Sequence, residues 1–133
     1  MSYAGGCRCS AVRFEAAGEA TNCCYCHCTS CRRACGAPFV AWATFPSAGF
    51  RLLHGTLASV RSSAPVTRGF CSACGTSLTY AHDARPEEID IALATLDDAR
   101  TIAPEYHIWM ADALPWDRPG DGLPQYRGWK RDA

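Results

Sequence analysis

Ten cysteines among 133 residues constrain this chain more than any other feature, because they fall in short-spaced sets. Cys7 and Cys9 form a C-x-C pair after Gly5-Gly6. Cys26, Cys28 and Cys31 form C-x-C-x-x-C, and Cys71 and Cys74 form C-x-x-C followed at once by Gly75. Thiolates bind zinc at about 2.3 Å in a tetrahedron, and a tight turn with Gly after the second ligand lets two of them converge. A short pair fills two corners and needs a second pair facing it, whereas a compact triplet occupies three corners alone. The spacing therefore predicts Cys7, Cys9, Cys71 and Cys74 around a structural zinc, with Cys26, Cys28 and Cys31 around a second. The first site would tie the amino-terminal region to the middle of the chain and add folding free energy directly. The second keeps one corner for water or substrate, the usual mark of catalytic zinc. Alternatives stand beside both: free thiols or redox pairs for the four, and for the triplet either reversible disulfides or a set left empty until a thiol ligand arrives. Cys23, Cys24 and Cys35 lack ligand spacing and read as small buried hydrophobes, Cys35 also as a fourth ligand or resolving thiol. His27, between two ligands, reads as a support behind them or a solvent-facing residue, while His54, His82 and His107 have no companion spacing.

Composition narrows the function classes. Thirteen Lys and Arg balance thirteen Asp and Glu, which weighs against nucleic acid as a partner, since phosphate binders carry a basic excess. No apolar stretch approaches the roughly 20 residues of a membrane span, so no membrane role is expected. The start, Met1 to Cys7, lacks the basic region and apolar run of a secretory signal. The expected location is cytoplasmic, where thiols stay reduced and clustered cysteines hold metal. Counting metal changes the charge: four thiolates on Zn²⁺ leave about −2 and three about −1. Arg32 and Arg33 follow Cys31 and are placed to offset the triplet or to receive the carboxylates of an anionic substrate, the plainer reading being a solvated surface pair.

Alternation dominates over helical period, which predicts an all-β fold in a single domain spanning 1–133. Strands are expected at Ala11–Glu15, Pro38–Phe45, Phe50–His54, Leu57–Arg61, Val66–Phe70, Ser77–Ala81 and Ile89–Leu93, with turn signals at Pro46, Gly49, Gly55, Pro65 and Gly75. Short helical turns are allowed only after Cys28 and around Asp97–Arg100. Residues 104–129 hold four prolines with Trp109, Trp116 and Trp129. They read as an irregular segment packing its aromatics on the sheet, with Lys130–Ala133 loose.

Gly6-Cys7-Arg8-Cys9, Cys26-His27-Cys28-Thr29-Ser30-Cys31-Arg32-Arg33 and Phe70-Cys71-Ser72-Ala73-Cys74-Gly75-Thr76 together resemble the glutathione-dependent formaldehyde-activating enzyme family, which shares its domain with centromere protein V. Thr95-Leu96-Asp97-Asp98, His107-Ile108-Trp109, Pro115-Trp116 and Asp121 to Tyr126 are similar to the family's later landmarks. The resemblance implies a β-tent fold, one structural and one further zinc on the cysteines named above, and a carbon–sulfur lyase that joins glutathione to formaldehyde as S-hydroxymethylglutathione. The other function weighed is a non-catalytic zinc module for a protein or small-thiol partner. It is favoured by the absence of any Asp, Glu or His spaced beside the triplet as a general base.

Overall fold

The computed structural model describes residues 1–132. Alternating side chains give each strand two faces, and the fold uses both. Strands β1 (Ser2–Gly6) and β2 (Arg13–Ala17) are followed in the chain by β3 (Thr21–Cys26), a short helix α1 (Thr29–Cys35) and β4 (Val40–Pro46). Strands β5 (Phe50–His54), β6 (Ala58–Ser63), β7 (Val66–Phe70), β8 (Ser77–His82), β9 (Glu88–Ala92) and β10 (Tyr106–Ile108) complete the set. They assemble as a three-stranded sheet in the order β1-β2-β5 and a seven-stranded sheet in the order β10-β3-β4-β9-β8-β7-β6. Neighbours pair antiparallel except β10, which runs parallel to β3. The all-β, β-tent expectation is met, and the predicted helical turns become α1 and the single turn Ala99–Thr101.

One face of the large sheet presents Cys23, Ala43, Phe45 and Ile91 to Phe14 and Ala16 of β2, closing the main core. Phe14 and Phe45 are buried completely or nearly so, each worth about 2–3 kcal/mol of apolar transfer. A register shift opposite Gly69 and Phe70 makes Leu78 the extra residue of β8, so Leu78 and Thr79 are both buried while Tyr80 returns to the opposite face. That opposite face carries Cys24, Cys26, Trp42, Ala92, Tyr106 and Ile108, packed with Cys31 of α1 into a second cluster.

The proline-rich segment closes over the β10 edge. His107 N–H donates to the Pro124 carbonyl at 2.9 Å and Tyr126 N–H to the His107 carbonyl at 2.9 Å, so the segment continues the sheet. Trp109 meets Trp129 edge-to-face at 5.6 Å and Tyr126 meets Tyr106 at 5.9 Å, as expected of packed aromatics. Trp116 departs from that expectation. It is 72% exposed, on a turn that carries it away from the sheet. Lys130–Asp132 form a helical turn, with the Lys130 ammonium 4.6 Å from the Tyr106 ring, and Ala133 lies outside the described residues. No helix among the described residues is long and apolar enough to cross a membrane.

Candidate metal centres and active-site cavity

The first cluster is assembled by two turns. After β1 the chain folds back at Cys7–Ser10, with Cys7 N–H donating to the Val12 carbonyl at 3.1 Å and Val12 N–H to Cys7 Sγ at 3.2 Å. After β7, Gly75 takes a left-handed φ of 81° and its N–H donates to the Cys71 carbonyl at 2.8 Å, closing the knuckle that its place in the sequence predicts. Cys74 N–H points at Cys71 Sγ at 3.4 Å. The two turns bring Cys7, Cys9, Cys71 and Cys74 within 4.8 Å of one another.

Four thiolates bound to one zinc at 2.3 Å stand about 3.8 Å apart by tetrahedral geometry. Cys7 and Cys9 are separated by 3.6 Å and Cys9 and Cys71 by 3.8 Å, which fits that ion and is far beyond a sulfur–sulfur bond of about 2.05 Å. All ten cysteines are free in this structure, with no disulfide among them.

The triplet forms where β3 ends and α1 begins. Cys26 closes the strand, and Cys28 caps the helix, its sulfur accepting from Cys31 N–H at 3.3 Å. The first turn of the helix swings Cys31 back over Cys26, so the three sulfurs share one centre within 4.8 Å. Hydrogen bonds from Cys26 and then Cys28, with help from Arg68, hold the Cys31 thiol well below its ordinary range, while sharing with Cys28 pushes Cys26 up. Arg68 is the unforeseen member. It is 4% exposed, its Nη2 lies 3.6 Å from Cys31 Sγ, its Nε donates to Ser62 Oγ, and its Nη1 makes no hydrogen bond. A buried guanidinium needs an anion. Three thiolates around a divalent ion leave a single negative charge, and Arg68 matches it.

Arg32 and Arg33, expected to supply that charge or to hold substrate, point elsewhere. Arg32 Nη2 donates to Thr29 Oγ1 at 3.2 Å, Arg33 is exposed, and neither lines the cavity beside the triplet. Cys35 stays outside the triplet, half-buried at the end of α1, and Cys23 and Cys24 are buried as expected. His27 is fully buried, not solvent-facing: its Nε2 lies 2.9 Å from His107 Nδ1, and His107 Nε2 lies 2.8 Å from Asp121 Oδ2. The pair pins the proline-rich segment behind the ligand loop. Its sequence gave no spacing signal because its partners are 80 residues apart.

The triplet opens on one side to a cavity of about 480 Å³, within the range of small-molecule sites. Its floor is the outer face of the large sheet and its wall the segment carrying Trp109, Trp129, Lys130 and Arg131. Across the floor runs a row fixed by strand register: Thr44 opposite Asp90, Asp90 opposite Tyr80, Tyr80 opposite Arg68. Thr44 Oγ1 donates to Asp90 Oδ1 at 2.6 Å, and the Arg68 guanidinium lies over the Tyr80 ring at 5.1 Å. Burial pushes the Asp90 carboxyl up to about 6 despite the Thr44 bond. Arg85 and Glu88 at the rim satisfy each other at 2.8 Å. Lys130 and Arg131 rest on aromatic faces, free of any carboxylate among the described residues.

A β protein built on two cysteine clusters able to hold metal, one of them opening to a cavity, is the class these features define. The chain belongs to the glutathione-dependent formaldehyde-activating enzyme family, which it matches over residues 2–112. It is 37% identical over 82 residues to an uncharacterized lyase of Schizosaccharomyces pombe, an alignment covering 60% of this chain and 58% of that protein. The chain thus aligns to less than two thirds of that relative. A crystal structure of a Rhodobacter sphaeroides protein superposes with a TM-score of 0.59 at 22% identity, covering 95% of this chain and 99% of the other, which supports the fold.

Proposed function

We propose that this chain is a zinc-dependent carbon–sulfur lyase-type enzyme that forms or cleaves the adduct of glutathione with formaldehyde. The observation that carries the reading is a three-thiolate set facing a cavity, since three protein donors are the number found where zinc is catalytic. The match to the family supports the substrates. Zinc at Cys26, Cys28 and Cys31 supplies, when bound, a Lewis acid that favours the thiolate form of an incoming thiol at neutral pH. Zinc at Cys7, Cys9, Cys71 and Cys74 is structural.

The remaining work falls to the chain's own groups. Lys130 and Arg131 attract the carboxylates of glutathione to the rim. Trp42, Trp109 and Trp129 line the cavity, limit water and hold the thiol against the aldehyde, the proximity effect that a reaction this facile in solution most needs. Arg68 keeps the triplet charged and in place. Free thiols throughout suit a cytoplasmic setting.

The test is Cys28→Ser. It leaves the four-cysteine cluster intact, so the protein folds and retains one equivalent of metal in place of two, while catalysed condensation of glutathione with formaldehyde is lost. Wild-type rates in a folded Cys28→Ser protein would overturn the reading. Glutathione that neither binds nor shifts the melting temperature would favour the non-catalytic module.

A further inference from the structure

We propose that Asp90 is the proton-transfer residue of this site, taking the thiol proton and delivering it to the aldehyde oxygen. The inference rests on the lyase reading above and adds to it a group that the cysteine motifs do not contain.

The geometry singles out this carboxylate. Three acids line the cavity: Glu88, Asp90 and Asp112. Glu88 is committed to Arg85 at the rim, and Asp112 sits on the turn Met110–Asp112 in the outer wall. Asp90 lies on the sheet floor, in the strand row that leads through Tyr80 to Arg68 and so to Cys31. Its Oδ1 is held by Thr44, which fixes the rotamer, while among the described residues Oδ2 has neither a hydrogen bond nor a seal of protein around it. A carboxylate on the cavity floor, with one oxygen anchored and the other open to the cavity, is built to exchange a proton.

The groups around it set its working range. Thr44 faces it from β4, Tyr80 from β8, Cys24 from β3 and Tyr106 from β10, with Arg85 and Glu88 near its own strand and Cys31 across the cavity. Tyr80 and Tyr106 are both shifted upward by burial and stay protonated and neutral at physiological pH. Asp90 is therefore the group on the floor that changes charge near neutrality, its value of about 6 being suited to giving and taking a proton there.

The step balances without any further reactant. The thiol S–H bond breaks as its proton passes to Oδ2, and the sulfur electron pair forms the S–C bond. The carbonyl π pair moves onto oxygen, and Asp90 returns the proton to that oxygen. In reverse, Asp90 takes the hydroxyl proton, the O–H pair forms the carbonyl π bond, the S–C pair returns to sulfur as the aldehyde leaves, and Asp90 gives the proton to that sulfur.

The experiment compares wild type, Asp90→Asn and Cys28→Ser in glutathione–formaldehyde condensation across pH, with metal content and glutathione affinity by calorimetry measured on each. Asn keeps the Thr44 hydrogen bond and cannot carry the proton. The expected result is a loss of about 100-fold or more in kcat/KM for Asp90→Asn, with metal content and affinity unchanged. The wild-type decline in rate below about pH 6 also disappears. An Asp90→Asn rate within about threefold of wild type, with Cys28→Ser inactive, would overturn the proposal while leaving the lyase reading standing. Full rates in both variants would instead remove the lyase reading. Loss of metal or of glutathione affinity along with the rate would make Asp90 structural and overturn its catalytic role. Should Asp90→Asn not fold, Thr44→Val decides: removing the donor raises the Asp90 pKa and moves the acid limb to higher pH, and an unmoved limb rejects the proposal.

Discussion

Asp90 stands between Ile89 and Ile91, both of which face the main core, so its own side chain is forced onto the cavity floor. A carboxyl placed there costs stability. Its folded-state pKa of about 6 lies above the ordinary 3.8, so the folded protein holds its proton more tightly than the unfolded chain does. Stability from this residue is greatest in acid and is lost as pH rises from about 4 through about 6. Asp90→Asn never ionises and escapes that loss. It should melt above wild type at about pH 7.5, with the gap closing below about pH 4 in thermal scans. The thiol spacings were legible because zinc dictates both donor type and turn length. Asp90 and Arg68 were not, because a charged residue in an alternating strand looks like any solvent-facing position. Only strand register reveals that the outer face is a roofed floor. The general base found missing beside the triplet in sequence is supplied across the sheet.

Individual elements show the same division. The strands Phe50–His54 and Val66–Phe70 were predicted to the residue, because flanking Gly and Pro punctuate a clear alternation. Three of the five residues of strand β1 are glycine or alanine and carry no pattern, half of β3 is cysteines that signal ligands before they signal a strand, and β10 has only three residues in which to alternate. Strand β10 owes its place to side chains instead. His107 links buried His27 to Asp121, and its removal leaves the His27 Nε2 without a partner in the interior and frees Asp121 from the sheet. His107→Phe should therefore cost about 2 kcal/mol or more in denaturant unfolding, and amide exchange should rise first across Pro124–Tyr126. Helix α1 ends on Gly36, in a left-handed φ of 62° with open space around it. Gly36→Ala should cost about 1 kcal/mol, from backbone strain and not from a clash, measured by the same unfolding.

At the scale of the whole molecule, the four-cysteine cluster joins turns 62 residues apart and bridges the two sheets through β1–β2 and β7–β8. Closing a loop of that length by hydrophobic contacts alone is entropically costly, so metal and fold are coupled. Cys71→Ser should lower the melting temperature far more than Cys28→Ser does, and a chelator should bring wild type down to the level of Cys71→Ser. The cavity beside the triplet has a different ownership. Its thiolates and its floor lie inside the stretch matched to the family, residues 2–112, whereas Trp129, Lys130 and Arg131 of its wall lie beyond it. On the proposed lyase reading, the thiolates that act on the substrate and the wall that selects it thus lie in different stretches of the polypeptide. Exchanging Trp129, Lys130 and Arg131 alone, with the sheet-paired Pro124–Tyr126 and Asp121 kept in place, should change which thiols the proposed lyase accepts and leave metal content unchanged.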